Sequence, residues 1–226
     1  MIFFSSPFLG SGDELLHTYP PMNPEILIEK YYRDAPALRH ILLTHSKSVA
    51  EKALAVSAMH PELHLDDTFL YEGAMLHDIG ILYTDAPGIE CHGTEPYIKH
   101  GLLGGKILRE EGYVRHARVA ERHTGTGLTA LTIERQQLPL PVFDFVPESL
   151  EEEVICYADK FFSKTHLDIE MSPDVVMKKL AKFGEESVSV LECAFNNFKI
   201  FNISSHNCIF WTMFDCFSNE VRLKYW

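Results

Sequence analysis

The chain has 226 residues, of which 46% are hydrophobic and 23% are charged, a composition that excludes a disordered or fibrous protein. With 20 Lys and Arg against 32 Asp and Glu, the formal net charge is -12, which argues against general nucleic-acid binding. The negative charge still permits a small anionic substrate, because a bound metal ion can reverse the local field.

The length predicts one domain with additional segments at its ends. Residues 1–24 are predicted to be an irregular leader, because glycines and prolines interrupt regular structure there. The helical domain is predicted over residues 25–201. Residues 202–226 are predicted to be a tail of uncertain structure that holds both tryptophans, and its apolar character is compatible with self-association into a homo-oligomer.

Signals for export and membrane insertion are weak in this sequence. It contains no run of about 18 or more apolar residues, so no membrane-spanning helix is predicted. The apolar first ten residues lack the basic start of a signal peptide. The five cysteines form no C-x-x-C pair, as expected for reduced thiols. We therefore expect a cytoplasmic protein with no membrane partner.

Apolar residues recur at spacings of three and four along most of the chain, which predicts helices. The predicted helices cover residues 25–32, 36–59, 69–76, 97–111, 114–122, 128–138, 149–162 and 173–183, and a last one ends at about residue 201. Glycines and prolines in residues 79–96 predict a loop. Because strand signals are almost absent, the predicted fold class is all-α.

The sharpest local feature is the segment Leu76-His77-Asp78-Ile79-Gly80 at the end of a predicted helix. Adjacent helical residues point about 100° apart, but at a helix end His77 and Asp78 can converge on one ion. Imidazole and carboxylate form the mixed N/O ligand set that suits a transition metal. Asp78 could also bridge two ions, because a carboxylate has two oxygens.

Four further residues are candidates for the same interior. His45 lies beside the apolar stripe of the helix predicted over residues 36–59 and therefore faces the interior or nearly so. His100 begins a helical turn beside small residues, and His123 ends a predicted helix. Asp159 lies on an apolar helix face, where a buried carboxylate needs a partner. Five predicted helices would thus bring six N/O donors together, as helix bundles do at metal sites. The other interpretation is a set of buried polar helix caps.

This set of residues resembles the HD superfamily of metal-dependent phosphohydrolases, and the Ile79-Gly80 that follows His77-Asp78 resembles its HDIG subgroup, in particular small stand-alone members. The resemblance covers about residues 36–165 and implies an HD-domain-like helical bundle around a buried metal site. It also implies one or two divalent transition metal ions, from among Fe, Mn, Co, Ni and Zn. The first ion would be held by His45, His77, Asp78 and Asp159, and the second by His100, His123 and a bridging Asp78.

The resemblance further implies cleavage of a phosphoester or phosphoanhydride by a hydroxide that the metal activates. The expected substrate is a small phosphorylated molecule, with a nucleotide as the favoured class. In one respect the chain departs from the family, because Ile81 stands where many HDIG members have a lysine. Phosphate neutralisation would then come from the metals or from residues near the ligands in sequence, namely Lys47, His92, Arg122 and Lys160.

Catalytic roles are expected for Asp78, His92 and Lys160. His92 lies in a Gly/Pro-rich loop between two ligand helices, where a substrate contact or an acid role competes with a solvated surface position. Two other functions stay open at this point: a di-iron oxygenase of the same superfamily, and a non-catalytic binding module that a metal stabilises. The sequence identifies neither the substrate nor the metal.

Overall fold

The computed structural model describes residues 22–183 and 185–198, so the predictions for residues 1–21 and 199–226 lie outside the described residues. The described chain is helical with one small sheet, which confirms the all-α class. Its helices are α1 (Pro24–Tyr32), α2 (Pro36–Met59), α3 (Asp67–Leu76), α4 (His100–Glu110), α5 (Val114–Arg122), α6 (Ala130–Arg135), α7 (Leu150–Asp159), α8 (Pro173–Leu180) and α9 (Glu185–Asn197).

Three helices are shorter than predicted, because turns of other geometry replace their first or last residues. The segment Tyr97–Lys99, predicted as part of α4, is a 3-10 turn that precedes it. Helix α6 is shorter than the predicted residues 128–138, because Gln137 adopts a left-handed backbone with φ of 52°. Helix α7 ends at Asp159, because the amide groups of the next three residues donate hydrogen bonds to carbonyl oxygens three residues earlier in the chain, and not four as in an α-helix.

The segment predicted as a loop, residues 79–96, contains a small sheet. A 3-10 turn over Ile79–Tyr83 leads into β1 (Thr84–Ala86), which pairs antiparallel with β2 (Cys91–His92) and parallel with β3 (Glu95–Pro96). The strands have two or three residues each. Such short strands leave no period-2 pattern that a sequence could show.

Helix α2 is the longest described element and packs against α1, α3 and α7. Its buried stripe includes Leu42, Val49, Ala53 and Val56, and His45 lies on this same face, three residues after Leu42. The polar side chain of His45 is therefore held inside the apolar core. Among the described residues, no helix combines the length and the apolar composition that crossing a bilayer requires.

Side chains cap the starts of two helices near the core. The Asp66 side chain accepts a hydrogen bond from the amide group of Phe69 at 3.0 Å, and Ser149 accepts one from Glu152 at 3.2 Å. These bonds anchor the starts of α3 and α7. The C-terminal ends of the same two helices carry His77 and Asp159.

The side chain of Tyr32 fixes the 3-10 turn that follows Asp78. Its hydroxyl donates to the carbonyl oxygen of Ile79 at 2.7 Å and accepts from the amide group of Leu82 at 3.2 Å. Tyr32 is fully buried. The end of α1 thus holds the backbone beside the His-Asp pair in one position.

We expect Tyr32→Phe to lower the free energy of unfolding by about 1–3 kcal/mol, because it leaves a buried carbonyl and a half-buried amide group without their partner. Urea denaturation measures this change. The matched control is Tyr83→Phe, since Tyr83 is exposed and its loss should change stability by less than about 0.5 kcal/mol. Equal changes in the two variants would contradict the assigned role of Tyr32.

Candidate metal centre

The first donor group consists of His45, His77, Asp78 and Asp159, which come from α2, the end of α3 and the end of α7. The Nε2 atom of His45 lies 3.0 Å from Asp159 Oδ1 and 3.2 Å from Asp78 Oδ2. The Nε2 atom of His77 lies 3.0 Å from Asp78 Oδ2 and 3.3 Å from His45 Nε2. Four side chains therefore direct one donor atom each toward a shared point.

The second donor group consists of Asp78, His100 and His123. His100 is the first residue of α4, and His123 directly follows α5. Their Nε2 atoms are 3.0 Å apart and lie 3.5 Å and 3.4 Å from Asp78 Oδ1. Asp78 therefore directs Oδ2 to the first group and Oδ1 to the second.

Backbone carbonyl groups set the orientation of three of these imidazole rings. The Nδ1 atoms of His77, His100 and His123 lie 2.6–2.8 Å from the carbonyl oxygens of Ala74, Tyr97 and Ala120. A carbonyl oxygen only accepts hydrogen bonds, so Nδ1 carries the proton in each ring and donates it. In the neutral rings the Nε2 lone pairs are then available, which is how histidines that bind metals are commonly held.

The donor spacing agrees with that expected around a metal ion. Donors bound to one ion at about 2.1 Å lie about 3.0 Å apart in octahedral and about 3.4 Å apart in tetrahedral coordination. Within the two groups, the distances from each histidine Nε2 atom to the nearby carboxylate oxygens and to the other histidine are 3.0–3.5 Å. Both carboxylate oxygens of Asp78 are buried without a well-formed hydrogen bond. These residues therefore fit a metal ion in each group.

Burial and charge act differently on the titration of the two groups. Burial opposes the charged form of His77, but Asp78 and Asp159 outweigh it and raise the pKa of His77 to about 9. Burial lowers the pKa of His100 to about 3 and also lowers the pKa of His123. The second group therefore presents neutral imidazoles at ordinary pH.

Two lysines neutralise the two carboxylates. The ammonium group of Lys160 lies 2.7 Å from Asp159 Oδ2 and donates to the carbonyl oxygen of His123 at 3.0 Å. The ammonium group of Lys164 lies 2.5 Å from Asp78 Oδ2. Burial favours the neutral acids, but these lysines and His77 outweigh it, so the pKa values of Asp78 and Asp159 lie well below the usual range.

Sequence reasoning missed Lys164. The residue lies outside any helix, in the segment between α7 and α8, so no periodic pattern indicates where its side chain points. The available signal is its position five residues after Asp159. A chain that turns back after the last ligand can return a lysine to the same site.

The structure places the other predicted residues at different distances from the donor groups. Lys160 contacts Asp159, as described above. His92 lies on β2 with 67% of its side chain exposed, and its Nε2 atom is 3.5 Å from Glu90. Lys47 is exposed, and the guanidinium group of Arg122 binds Glu148 and a backbone carbonyl. The structure does not bring His92, Lys47 or Arg122 to the carboxylates of the site.

A glycine allows the two donor groups to lie so close together. A Cβ atom added at Gly80 would lie 2.1 Å from the carbonyl oxygen of His100 and 2.2 Å from the amide nitrogen of Gly104. The turn after Asp78 therefore packs with its backbone directly on the start of α4. This contact brings His100 within reach of Asp78.

Comparison with known proteins gives a family match over more than half of the chain. The HD domain family model matches residues 42–163. An uncharacterized protein of Methanocaldococcus jannaschii is 34% identical over 169 residues, which cover 70% of this chain and 90% of the relative. The HD domain of the phosphodiesterase PgpH from L. monocytogenes aligns with a TM-score of 0.47 and 18% identity, over 78% of this chain and 89% of that chain.

Two other relatives are named as tRNA (cytidine(56)-2'-O)-methyltransferases. The protein of Picrophilus torridus is 34% identical over 124 residues, which cover 54% of this chain and 32% of the relative. The protein of Thermoplasma volcanium is 32% identical over 152 residues, which cover 66% of this chain and 40% of the relative. The chain thus spans well under half of the length of these two relatives.

We expect Gly80→Ala to lower the free energy of unfolding by about 1–3 kcal/mol or more, because the added methyl group meets backbone atoms that cannot rotate away. Thermal and urea denaturation measure the change. Gly88→Ala is the matched control, since nothing lies within 4 Å of a Cβ atom at Gly88. If Gly80→Ala is as stable as the control, the close contact does not constrain the site.

Proposed function

This chain belongs to the HD domain family, and on that premise we propose that it is a metal-dependent phosphohydrolase. The proposed substrate is a small molecule with a phosphoester or phosphoanhydride bond, and we favour a nucleotide. One observation carries the proposal: the carboxylate of Asp78 contributes one oxygen to each of two donor groups. Two neighbouring ion sites that share a carboxylate suit phosphoryl hydrolysis.

The donor set also supports a choice of metals. We propose that His45, His77, Asp78 and Asp159 hold one ion, and that His100, His123 and Asp78 hold a second. All donors are nitrogen or oxygen atoms, which suits Fe, Mn, Co, Ni or Zn. When bound, such ions lower the pKa of a water ligand and polarise phosphoryl oxygens.

The residues of the chain have separate tasks in this proposal. Backbone carbonyl groups hold three of the imidazole rings in one tautomer and orientation. One of these carbonyl groups belongs to α3, one to the turn that precedes α4, and one to α5. Asp78 sets the spacing between the two donor groups. Lys160 is a positioning residue, because its ammonium group connects Asp159 to the backbone at His123. Five of the six donor residues are buried, which limits the bulk water around the donor atoms.

The charge of the site favours an anionic substrate. Asp78 and Asp159 bring two negative charges, and Lys160 and Lys164 bring two positive charges. His77 loses its extra proton when an ion binds to the first donor group, so the first divalent ion adds one net positive charge and the second adds two, and no group of the site balances them. A phosphate group would supply the missing negative charge.

We expect the purified protein to release phosphate or a nucleoside from at least one member of a phosphoester panel, tested with each of the five metals. The panel holds mononucleotides, dinucleoside polyphosphates and sugar phosphates, and the methyltransferase relatives justify adding tRNA. Asp78→Ala should reduce the activity at least about 100-fold, because both donor groups lose an oxygen.

The panel also discriminates the competing functions. Cleavage of no phosphoester under any of the metals would sink the phosphohydrolase proposal. Oxygen consumption by the iron-loaded protein would instead favour the di-iron oxygenase. A metal-dependent melting temperature with neither activity would favour the binding module that a metal stabilises.

We expect two ions per chain, and the loss of one ion in His123→Ala, because only the second group loses a donor. His45→Ala should lose an ion from the first group. The control is His40→Ala, since His40 is exposed on the same helix as His45. Plasma emission spectrometry after gel filtration gives the stoichiometry. A single ion in the unsubstituted protein at saturation would contradict the two-ion arrangement.

A further inference from the structure

Lys164 reaches the first donor group from the segment between α7 and α8. Its ammonium group lies 2.5 Å from Asp78 Oδ2, and only 14% of its side chain is exposed. The same oxygen lies 3.2 Å from His45 Nε2 and 3.0 Å from His77 Nε2. Lys164 therefore contacts one of the atoms that make up the first donor group.

An ammonium group and a divalent ion compete for that oxygen. Two cations on one buried carboxylate oxygen repel each other strongly, because little solvent screens them. When the first donor group holds an ion, the ammonium group of Lys164 is expected to leave Asp78 Oδ2. Its four-carbon stem allows such a movement without a change in the backbone.

The surroundings of Lys164 indicate where its ammonium group can go. The charge of its ammonium group acts on the hydroxyl group of Tyr97 and lowers the pKa of Tyr97, although burial outweighs this effect and raises that pKa to about 12. The ring of Tyr97 stacks on His100, with 4.8 Å between the ring centroids. Tyr97 and Lys164 are both partly exposed. The lysine thus lies at the edge of the donor groups, with part of its side chain exposed to solvent.

The other cations near the site are not available in this way. Lys160 is held by a carboxylate and by the carbonyl oxygen of His123. Ile81 replaces the lysine that many members of the resembled subgroup carry, and its side chain is fully buried in the core. Among the lysines and arginines in the described part of the chain, only Lys164 forms an ion pair with the carboxylate that both donor groups share.

We propose that Lys164 binds the phosphate group of the substrate, and that its ammonium group exchanges Asp78 for this phosphate when the first donor group holds a metal ion. The inference rests on the proposed function and adds a residue that selects anionic substrates. A lysine binds phosphate as a point charge, through strong charge-assisted hydrogen bonds. No bond of the substrate is broken by Lys164 in this role.

The test is the affinity for inorganic phosphate of the manganese-loaded protein, measured by isothermal titration. Lys164→Met should bind phosphate at least about tenfold more weakly, because the charge is lost, and Lys164→Arg should restore most of the affinity. Lys47→Met is the matched control, since Lys47 is exposed and near His45 in sequence. Its phosphate affinity should equal that of the unsubstituted protein.

Manganese affinity is the second readout, and it separates substrate binding from a structural role. Lys164→Met should bind manganese as tightly as the unsubstituted protein or more tightly, because a competing cation is removed. A phosphate affinity within about twofold of the unsubstituted protein, or a clear loss of manganese affinity, would overturn the inference. If Lys164→Met does not fold, as judged by circular dichroism, Lys164→Gln and Lys164→Arg provide the same comparison.

The outcomes distinguish this inference from the proposed function. Phosphate binding that depends on Lys164, in a protein that cleaves no phosphoester, contradicts the phosphohydrolase function and leaves the anion site standing. Suppose instead that the protein cleaves a phosphoester, and that neither the KM nor the affinity for inorganic phosphate changes in Lys164→Met. This result contradicts the role of Lys164 and leaves the proposed function standing.

Discussion

The carboxylate of Asp78 is fully buried, and a buried charge is stable only when opposite charges or hydrogen-bond donors lie close to it. Lys164 and protonated His77 meet this requirement at Oδ2 of Asp78. Histidines from four helices or helix ends face its two oxygens, and Lys164 reaches it from the segment after α7. The helices around this residue therefore bring a lysine, a protonated histidine and further metal-ligand atoms to one carboxylate.

Lys160 and Lys164 show that the chain carries counter-charges of its own. Each pairs with one of the two carboxylates, and each lies close in sequence to Asp159. Small structural zinc domains, by contrast, depend on the metal to fold. A chain with its own cations can fold around its acidic residues first and bind metal ions afterwards. In the role proposed for Lys164, the ammonium group that leaves Asp78 becomes available to bind the substrate. The same lysine would then stabilise the buried carboxylate before metal binds and select an anionic substrate afterwards.

Much of this arrangement could be predicted because it depends on helices. The stripe of α2 indicated that His45 faces the core, and the His77-Asp78 pair at a helix end indicated convergence on one point. The small sheet and the position of His92 could not be predicted in the same way. In β2 the side chain of Cys91 is buried and that of His92 is exposed, because neighbours on a strand point to opposite faces. Nearness in sequence to a ligand therefore did not mean nearness in space, whereas Lys164 reaches the site through a turn that no periodicity describes.

The two donor groups differ in how the chain builds them. The first combines two carboxylates with two histidines, so charge contributes strongly to its attraction for a cation. The second has one carboxylate oxygen and two neutral imidazoles, and it depends on the close backbone contact at Gly80 to bring α4 near the turn. Because Asp78 serves both groups, a displacement of this turn that improves the contacts of one oxygen changes the contacts of the other. The groups are therefore coupled through the position of a short backbone segment as well as through charge, and the Tyr32 hydroxyl that holds this segment acts on both.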